Sequence, residues 1–420
     1  MVKECNISSS NRWLLKRLSI AITYEYPESD ELGIKLTAEE MGVDLVYVPF
    51  RKVSVFVNSH SFSFKSMASD YREKIENVNA VLNRMQSKNR RLYAASFFEA
   101  IGKYVLNPLS VETLCFSKFR SLVEFWRNGI RIPETVFVPC DSHDMTTSGL
   151  TIHNERVIAD LIQKALRGGS IVLKPDGGTH GIGIKLAKDM ETLIKFIEAS
   201  NPSISNPVGF VAQEFVQKWF YDLRIIVIKE RGQTPYCYPK ALGRAGFKDF
   251  RMNTFLGNMV FDVSLPLDVR KIAVKCGAAV GKDSEAWVLA LDAMLNIGED
   301  RFVDDEYVKA ELEKLVPSFE AVQEAKRDER MKNKDFRRWS ERVEDAYQDY
   351  KSVEAYTHVK EVIEASVKRD KNEMVFHEAN ACPDFWEQTR NIAEINVAVP
   401  LIKCAKSVEG WSIYQRIKQC

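Results

Sequence analysis

The stretch Ile171–Ile184, IVLKPDGGTHGIGI, decides how the rest of the chain is read. Its first three residues, Ile171, Val172 and Leu173, are apolar and mostly β-branched and read as a buried strand. Lys174 stands at the end of that strand, and Pro175 stops regular pairing. Gly177, Gly178, Gly181 and Gly183 then surround Thr179 and His180 before a second short apolar run. Glycine lets a backbone turn sharply and approach a ligand closely, because no Cβ intervenes. Free backbone N–H groups in such a turn cradle an anion, and a nearby lysine adds positive charge. The functional reading is a loop lying over phosphate groups with Lys174 touching them. A plain glycine-rich hairpin describes the same residues, so the neighbouring chain has to decide. No Gly-Lys-Ser/Thr follows, and the order Gly-x-Gly-x-x-Gly is absent.

Outward from this stretch, the amino-terminal side alternates strand and helix. RLSIAITY, a helix from Asp30 to Met41 capped by Ser29 or Asp30, and VDLVYVPF form a parallel α/β unit. A polar segment from Ser59 to Lys74 precedes a further strand near Arg84. RRLYAASFFEAIGK then reads as an amphipathic helix closed by Gly102. A helix is expected over Leu114 to Trp126, with Lys118 near its start, then the strand IRIPETVFV and a helix from Asn154 to Leu166.

On the carboxyl-terminal side, a helix from Asp189 to Ser200 leads into the strands GFVAQEFV and DLRIIVI. A basic loop from Lys240 to Asn253, a helix from Leu267 to Val280 and the strand WVLALDAML follow. Glu299 to Lys371 is rich in charge and poor in glycine, spaced like long surface helices. MVFHEANACPDF returns to strand followed by loop, and Asn391 to Lys406 reads as a helix.

Composition excludes several classes. A chain of 420 residues exceeds one core, so two or three domains are expected. The net charge of +1 gives no bulk attraction to nucleic acid or membrane. The eight cysteines contain no Cys-x-x-Cys pair, a pattern of reduced thiols rather than a zinc site or disulfide framework. No membrane span or secretory signal is visible, and cytoplasm is the expected location.

Two acidic residues occupy positions where strands favour apolar side chains: Asp292 in LALDAML and Glu378 in VFHEAN, with Asn380 two positions on. Residues i and i+2 of a strand share a face, so Glu378 and Asn380 project together. Two carboxylates and an amide oxygen suit Mg²⁺, which takes oxygen ligands and bridges phosphates. The alternative for each carboxylate is a buried pair with an arginine. His377 alternates with Glu378 and is expected to point away; His180 lies in the glycine-rich loop, where it can contact phosphate.

With these residues in place, the chain resembles the ATP-grasp ligases, and within them the RimK-like carboxylate–amine ligases. The segment VLNPLSVETLCFSKFRSLVEFWRNGIRIPETVFV resembles the region of the first ATP-contacting lysine, here Lys118, with Ser117 where the family usually has Asp. IVLKPDGGTHGIGI resembles the second lysine, Lys174, and the phosphate loop with Gly178, Thr179, His180 and Gly181. Gln213, Glu214, Phe215 and Val216 are similar to the hinge that holds adenine and ribose, followed by Asp222 and Arg224. KALGR carries Arg244 in the place of the arginine at the acyl-phosphate centre. DFRMN puts Arg251 and Asn253 near the acceptor carboxylate, and Asp292, Glu378 and Asn380 fall on the metal ligands. Gly257-Asn258 and the loop around Cys382-Pro383-Asp384 depart from the family's glycines.

The resemblance implies an α/β (α+β) ATP-grasp fold with an amino-terminal pre-ATP-grasp domain over 1–110. A central subdomain follows over 111–212, and a carboxyl-terminal one over 213–420 with a helical insertion at about 299–371. It implies ATP and Mg²⁺, with Mn²⁺ as an alternative, and amide formation through an acylphosphate, adding an amino acid such as glutamate to a peptide, protein or coenzyme carboxylate. An ATP-grasp kinase acting on a small molecule and a non-catalytic nucleotide-binding regulator are the competing readings. The insertion reads as a solvated helical prop or as a docking arm for a macromolecular acceptor or partner. No membrane partner is expected, and a homo-oligomer is allowed.

Overall fold

The computed structural model describes residues 19–66, 69–138, 143–145, 148–149, 151–178, 181–200, 209–252, 257–297 and 305–408. The amino-terminal region runs β1 (Ser19–Tyr24), α1 (Ser29–Glu40), β2 (Asp44–Pro49), a hairpin of β3 (Val53–Val57) and β4 (Phe62–Ser66), and α2 (Arg72–Glu76). It continues with β5 (Ala80–Asn83), α3 (Lys88–Ala100) and β6 (Tyr104–Leu106). The sheet order is β2-β1-β5-β6, all parallel. Parallel neighbours need crossover connections, which the helices supply, so the expected α/β alternation holds. Part of the polar segment after Ser59 is strand β4. Its partner β3 exposes Phe56 and Val57, so no buried apolar face marked the hairpin in the sequence.

Next come α4 (Leu109–Phe116), α5 (Lys118–Arg127), β7 (Thr135–Val138), the pair β8 (His143–Met145) and β9 (Thr151–His153), and α6 (Glu155–Ala165). β10 (Ile171–Pro175), β11 (Lys185–Ala187), α7 (Met190–Ser200) and β12 (Phe210–Glu214) complete this region. The single helix expected from Leu114 to Trp126 is two. Ser117 adopts an extended backbone (φ −107°, ψ 127°), and its hydroxyl accepts the Arg120 N–H at 3.0 Å. Serine is a strong N-cap, so the break starts a new helix at Lys118. The sheet β11-β10-β12-β7 is antiparallel, and α6 and α7 bury Ile158, Ile162, Leu193 and Ile197 against it.

The third sheet is built from β13 (Tyr221–Lys229), β14 (Tyr236–Cys237), β15 (Lys240–Ala245), β16 (Met259–Ser264), β17 (Trp287–Leu295) and β18 (Met374–Asn380). Helix α8 (Leu267–Gly281) lies between β16 and β17 in the chain. The order β16-β15-β13-β17-β18 is antiparallel throughout, with β14 beside β13. A Cβ on Gly281 would lie 2.0 Å from Trp287 Nε1, so α8 reaches this sheet only with glycine there. The basic loop expected from Lys240 begins instead as strand β15. Its two cations find carboxylates on neighbouring strands: Lys240 is 3.3 Å from Asp262, and Arg244 donates to Asp222 at 2.7 Å.

Between the adjacent strands β17 and β18 run α9 (Asp305–Lys326), α10 (Glu329–Lys334), α11 (Phe336–Ser352) and α12 (Glu354–Arg369). They are not a solvated hairpin. Trp339, Val343, Tyr347 and Tyr350 form a buried stripe at helical spacing. The Tyr350 hydroxyl donates to the Val260 carbonyl at 3.1 Å, and the Tyr356 hydroxyl to Asp262 at 2.8 Å. The charge that dominates the sequence lies on the opposite faces. Beyond β18, the helix expected from Asn391 to Lys406 is split into α13 (Thr389–Ala393) and α14 (Ala398–Lys406), with Glu394 between them at φ 62°.

The amino-terminal sheet is fastened to the third sheet beside the site. The Asn107 amide donates to the carbonyls of Val288 (2.7 Å) and Ala381 (2.6 Å) and accepts the Val288 N–H at 2.9 Å. Arg84 bridges Asp30 (3.2 Å) and the Pro383 carbonyl (3.0 Å), while Asp30 accepts the N–H groups of Phe385 and Trp386.

Candidate active site

Register explains why six polar side chains share one face of the third sheet. Directly opposed residues of an antiparallel pair project to the same side, as do residues i and i+2. Asp222 opposes Arg244, Arg224 opposes Asp292, and Asp292 opposes Glu378. Asp222 and Arg224 are i and i+2 on β13, and Glu378 and Asn380 are i and i+2 on β18. The row Arg244, Asp222, Arg224, Asp292, Glu378, Asn380 therefore follows from the strand order.

The row is strongly coupled. Arg224 grips Asp292 with two hydrogen bonds, 2.9 Å and 3.0 Å, and Arg244 stands 3.4 Å from the same carboxylate. Burial would raise the Asp292 carboxyl, but Arg224 and Arg244 overcome it and hold the group far below the usual carboxylate range. At Asp222 burial wins over Arg244, and its carboxyl is raised.

A second layer of cations stands over Glu378. Lys118, the first residue of α5, donates to the Gly178 carbonyl at 2.6 Å and lies 3.4 Å from Glu378 Oε1. Burial alone would raise Glu378, yet Lys118 and Lys88 pull its carboxyl down to about 2. Lys174, at the end of β10, is buried, and that burial pushes its ammonium down to about 8. The turn after it needs glycine: Gly183 has φ 75°, and a Cβ there would lie 2.8 Å from Pro175. A cleft of about 550 Å³ separates Gly177, Gly178, Gly183 and Lys185 from Ser87, Lys88 and Asn89.

Not every expected residue joins this constellation. Thr179, His180 and Asn253 lie outside the described residues. Gly181 is described at φ 71° in the turn. Arg251 folds back on Asp249, with bonds of 2.9 Å and 2.8 Å. The Gln213 amide donates to the Thr135 hydroxyl at 3.0 Å, and Glu214 accepts the Glu134 N–H at 3.0 Å. Both side chains thus anchor the hinge strand to β7, and Phe215 and Val216 continue from it into the third sheet.

Three residues of the site were not anticipated. Lys88 opens α3 just past the carboxyl end of β5, 3.8 Å from Glu378, where open α/β sheets present ligand-binding groups. Asp176 accepts the Phe119 N–H at 2.8 Å and its carbonyl accepts the Lys118 N–H at 3.2 Å, tying the glycine-rich turn to α5. His377 is re-aimed by a β-bulge. Asp292 opposes Glu378, but Ala293 opposes Phe376, so His377 is the extra residue. The expected strand alternation breaks there. Burial pushes the imidazole well down, Lys174, Asp292, Glu378 and Arg244 act on it electrostatically, and both of its nitrogens are buried without a hydrogen-bond partner among the described residues.

Lys118, Lys174, the glycine-rich turn, Arg244 and Asp292 all lie within one stretch that has known relatives. Residues 118–303 match the RimK-like ATP-grasp domain. The chain carries a RimK-like ATP-grasp domain. It is 21% identical over 263 residues to the alpha-aminoadipate–LysW ligase LysX of Sulfurisphaera tokodaii, covering 62% of this chain and 81% of that one. It is 29% identical over 213 residues to a probable alpha-L-glutamate ligase of Maridesulfovibrio salexigens, covering 50% of this chain and 63% of the relative, just under two thirds of that protein's length. The ATP-grasp ligase PsnB complexed with minimal precursor shares the fold over 93% of this chain and 99% of its own, with a TM-score of 0.50 at 11% identity. A further PsnB structure, at 12% identity and the same TM-score, holds its precursor together with Mg and ADP. The ATP-grasp ligases are enzymes that form carbon–nitrogen bonds.

The donor set of this RimK-like domain suits a magnesium ion shared with phosphates. Asn380 Nδ2 is buried without a partner, and a half-turn of the amide presents its oxygen at the same place. Among the described residues, no three His, Cys, Asp or Glu side chains converge tightly enough to hold an ion unaided. Mg²⁺ is typically held by one or two carboxylates plus substrate phosphates, so the residues fit an ion that arrives with a nucleotide. No helix among the described residues is long and apolar enough to cross a membrane.

Proposed function

We propose that the chain is an ATP-dependent carboxylate–amine ligase, organised as three units over residues 1–110, 111–212 and 213–420. The observation that carries this reading is the single sheet face bearing Arg244, Asp222, Arg224, Asp292, Glu378 and Asn380 beneath Lys118 and Lys174. In this reading Gln213 to Val216 border the adenine, Lys118 and Lys174 meet the nucleotide phosphates, and Gly178 to Gly181 close over them. Asp292, Glu378 and Asn380 would hold Mg²⁺ or Mn²⁺, which supplies charge neutralisation at the phosphates when bound.

The acceptor carboxylate attacks the γ-phosphoryl group, forming an acylphosphate and releasing ADP. An amine then attacks the acyl carbon, losing a proton as inorganic phosphate departs and the amide forms. Arg244 is poised for the charge that develops on the acylphosphate, because it lies in the row while keeping one fork edge toward Asp292. Arg251 and Asn253 belong to the loop that would border the acceptor. Exclusion of water by the glycine-rich turn keeps the acylphosphate from hydrolysis. The names of the relatives support an amino-acid amine of the glutamate type on a peptide, protein or coenzyme carboxylate.

The test is a product assay with MgATP and a panel of carboxylates and amines, followed by mass spectrometry. The ligase reading expects ADP release that requires both a carboxylate and an amine, with a product heavier by an amide-linked residue. A phosphorylated product formed without any amine would sink it in favour of a kinase.

A further inference from the structure

Lys218 lies just past the hinge, on the connection from β12 to β13. Its Nζ is buried and has no hydrogen-bond partner among the described residues. The neighbouring lysines differ: Lys118 donates to the Gly178 carbonyl and Lys88 to the Phe116 carbonyl. Two carboxylates act on Lys218 electrostatically, Asp222 and Asp249. Each is already engaged, Asp222 by Arg244 at 2.7 Å and Asp249 by the fork of Arg251. Its other charged neighbours, Arg244 and Lys174, are cations. Lys218 is therefore a buried cation whose two influencing carboxylates are each already paired with an arginine.

The recess is walled. Phe247 stacks on Phe220 at 5.6 Å, Phe250 meets Phe215 edge-on at 6.4 Å, and the Gly246 N–H donates to the Phe220 carbonyl at 2.8 Å. These contacts lay the loop of Asp249 and Arg251 over the hinge connection. A buried ammonium that donates no hydrogen bond is costly to fold, and an apolar side chain of similar length would be more stable there. A ligand oxygen accepting from this donor would remove that cost.

We propose that Lys218 is the seat for an anionic oxygen of a bound ligand, at the junction between the hinge and the loop over residues 246–252. Two sources bring such an oxygen to this junction: a nucleotide phosphate from the side of Lys174, or an acceptor carboxylate from the side of Asp249 and Arg251. Which of the two applies rests on the ligase reading; the seat itself does not. Burial pushes the Lys218 ammonium down to about 8, so it remains mostly protonated at neutral pH and able to donate.

The test compares the full chain with Lys218→Met and Lys218→Arg. Calorimetric titration uses MgADP, the Mg²⁺ complex of a non-hydrolysable ATP analogue, inorganic phosphate, and L-glutamate added to the analogue complex. Lys218→Met is expected to melt at or above the wild-type temperature without ligand and to lose at least tenfold affinity for one probe. Lys218→Arg should recover part of it. Loss for ADP and the analogue together assigns a proximal phosphate, loss for the analogue alone the γ-phosphoryl group, and loss for glutamate alone a carboxylate. Wild-type affinity for every probe overturns the proposal whatever the melting temperature. A lower melting temperature with binding that Lys218→Arg does not restore also overturns it, as a folding defect. If the wild type binds neither nucleotide, the ATP-grasp reading fails instead, and phosphate and glutamate decide Lys218.

Discussion

Lys118 Nζ lies 3.4 Å from Glu378 Oε1, joining the first residue of α5 to the middle of β18 across two different sheets. Lys88 approaches the same oxygen at 3.8 Å from a third. Glu378 is thus the meeting point of all three regions of the chain. Glu378→Ala should leave a folded protein, because both ion pairs are long, at 3.4 Å and 3.8 Å, and the side chain is not fully enclosed. Acceptor-dependent ADP release should fall by about 100-fold or more, the scale of one lost electrostatic contact at a reacting centre. Circular dichroism and a coupled ADP assay check both halves. Turnover like the wild type would remove Glu378 from the site.

Asp176 holds Lys118 by its backbone, not its charge. Asp176→Ala deletes the acceptor for the Phe119 N–H at the start of α5 and should cost about 1 kcal/mol of stability. The KM for ATP should rise by a larger factor than that loss explains, because Lys118 then shifts relative to Gly178. Asp176→Asn keeps an acceptor oxygen and should restore most of both. If Asn behaves like Ala, the cap is not what positions Lys118.

The strands that carry the site were legible because each places polar residues where a buried strand wants apolar ones. Asp292 within WVLALDAML and Glu378 within VFHEAN stand out for that reason, and the first of these strands matches its expected bounds. Lys88 and Asp176 did not stand out. Each acts through a partner distant in sequence, and one lysine or aspartate at a helix start is ordinary. The break in alternation at His377 was not legible because period-two reasoning assumes an unbroken ladder, and a bulge is a property of two strands together. Ser117 hid a helix break for a similar reason: its cap is reinforced by Asp176 from another segment. The charged stretch after Glu299 looked solvated because charge outnumbers aromatics there, while burial depends on which face holds them.

Trp339 separates a packed helical segment from a surface arm. The indole is wholly buried, and its Nε1 has no hydrogen-bond partner. Trp339→Ala should destabilise by about 3–5 kcal/mol, the range for large core truncations. Trp339→Phe should cost much less, under roughly 1.5 kcal/mol, since it keeps aromatic volume and gives up no hydrogen bond. Chemical denaturation measures both. A solvated arm would show almost no change for either variant.

Lys174 makes nucleotide binding and stability respond oppositely to alkaline pH. Burial lowers its ammonium from the ordinary 10.5 to about 8. Between these values the unfolded chain holds a proton that the ligand-free folded chain has released. The contribution of this group to stability therefore rises with pH through that window, and its charge is a penalty below pH 8. A bound phosphate reverses the preference, because it favours the ammonium. Binding of MgADP at pH 9 should take up a proton, and affinity should decline above pH 8 by at most about tenfold per unit. Titration calorimetry at pH 9 in two buffers of different ionisation enthalpy measures the uptake directly. Lys174→Met should abolish this uptake, weaken binding at pH 7 and make the affinity flatter above pH 8. Proton uptake that persists unchanged in Lys174→Met would assign the titration to another group and take Lys174 off the phosphates.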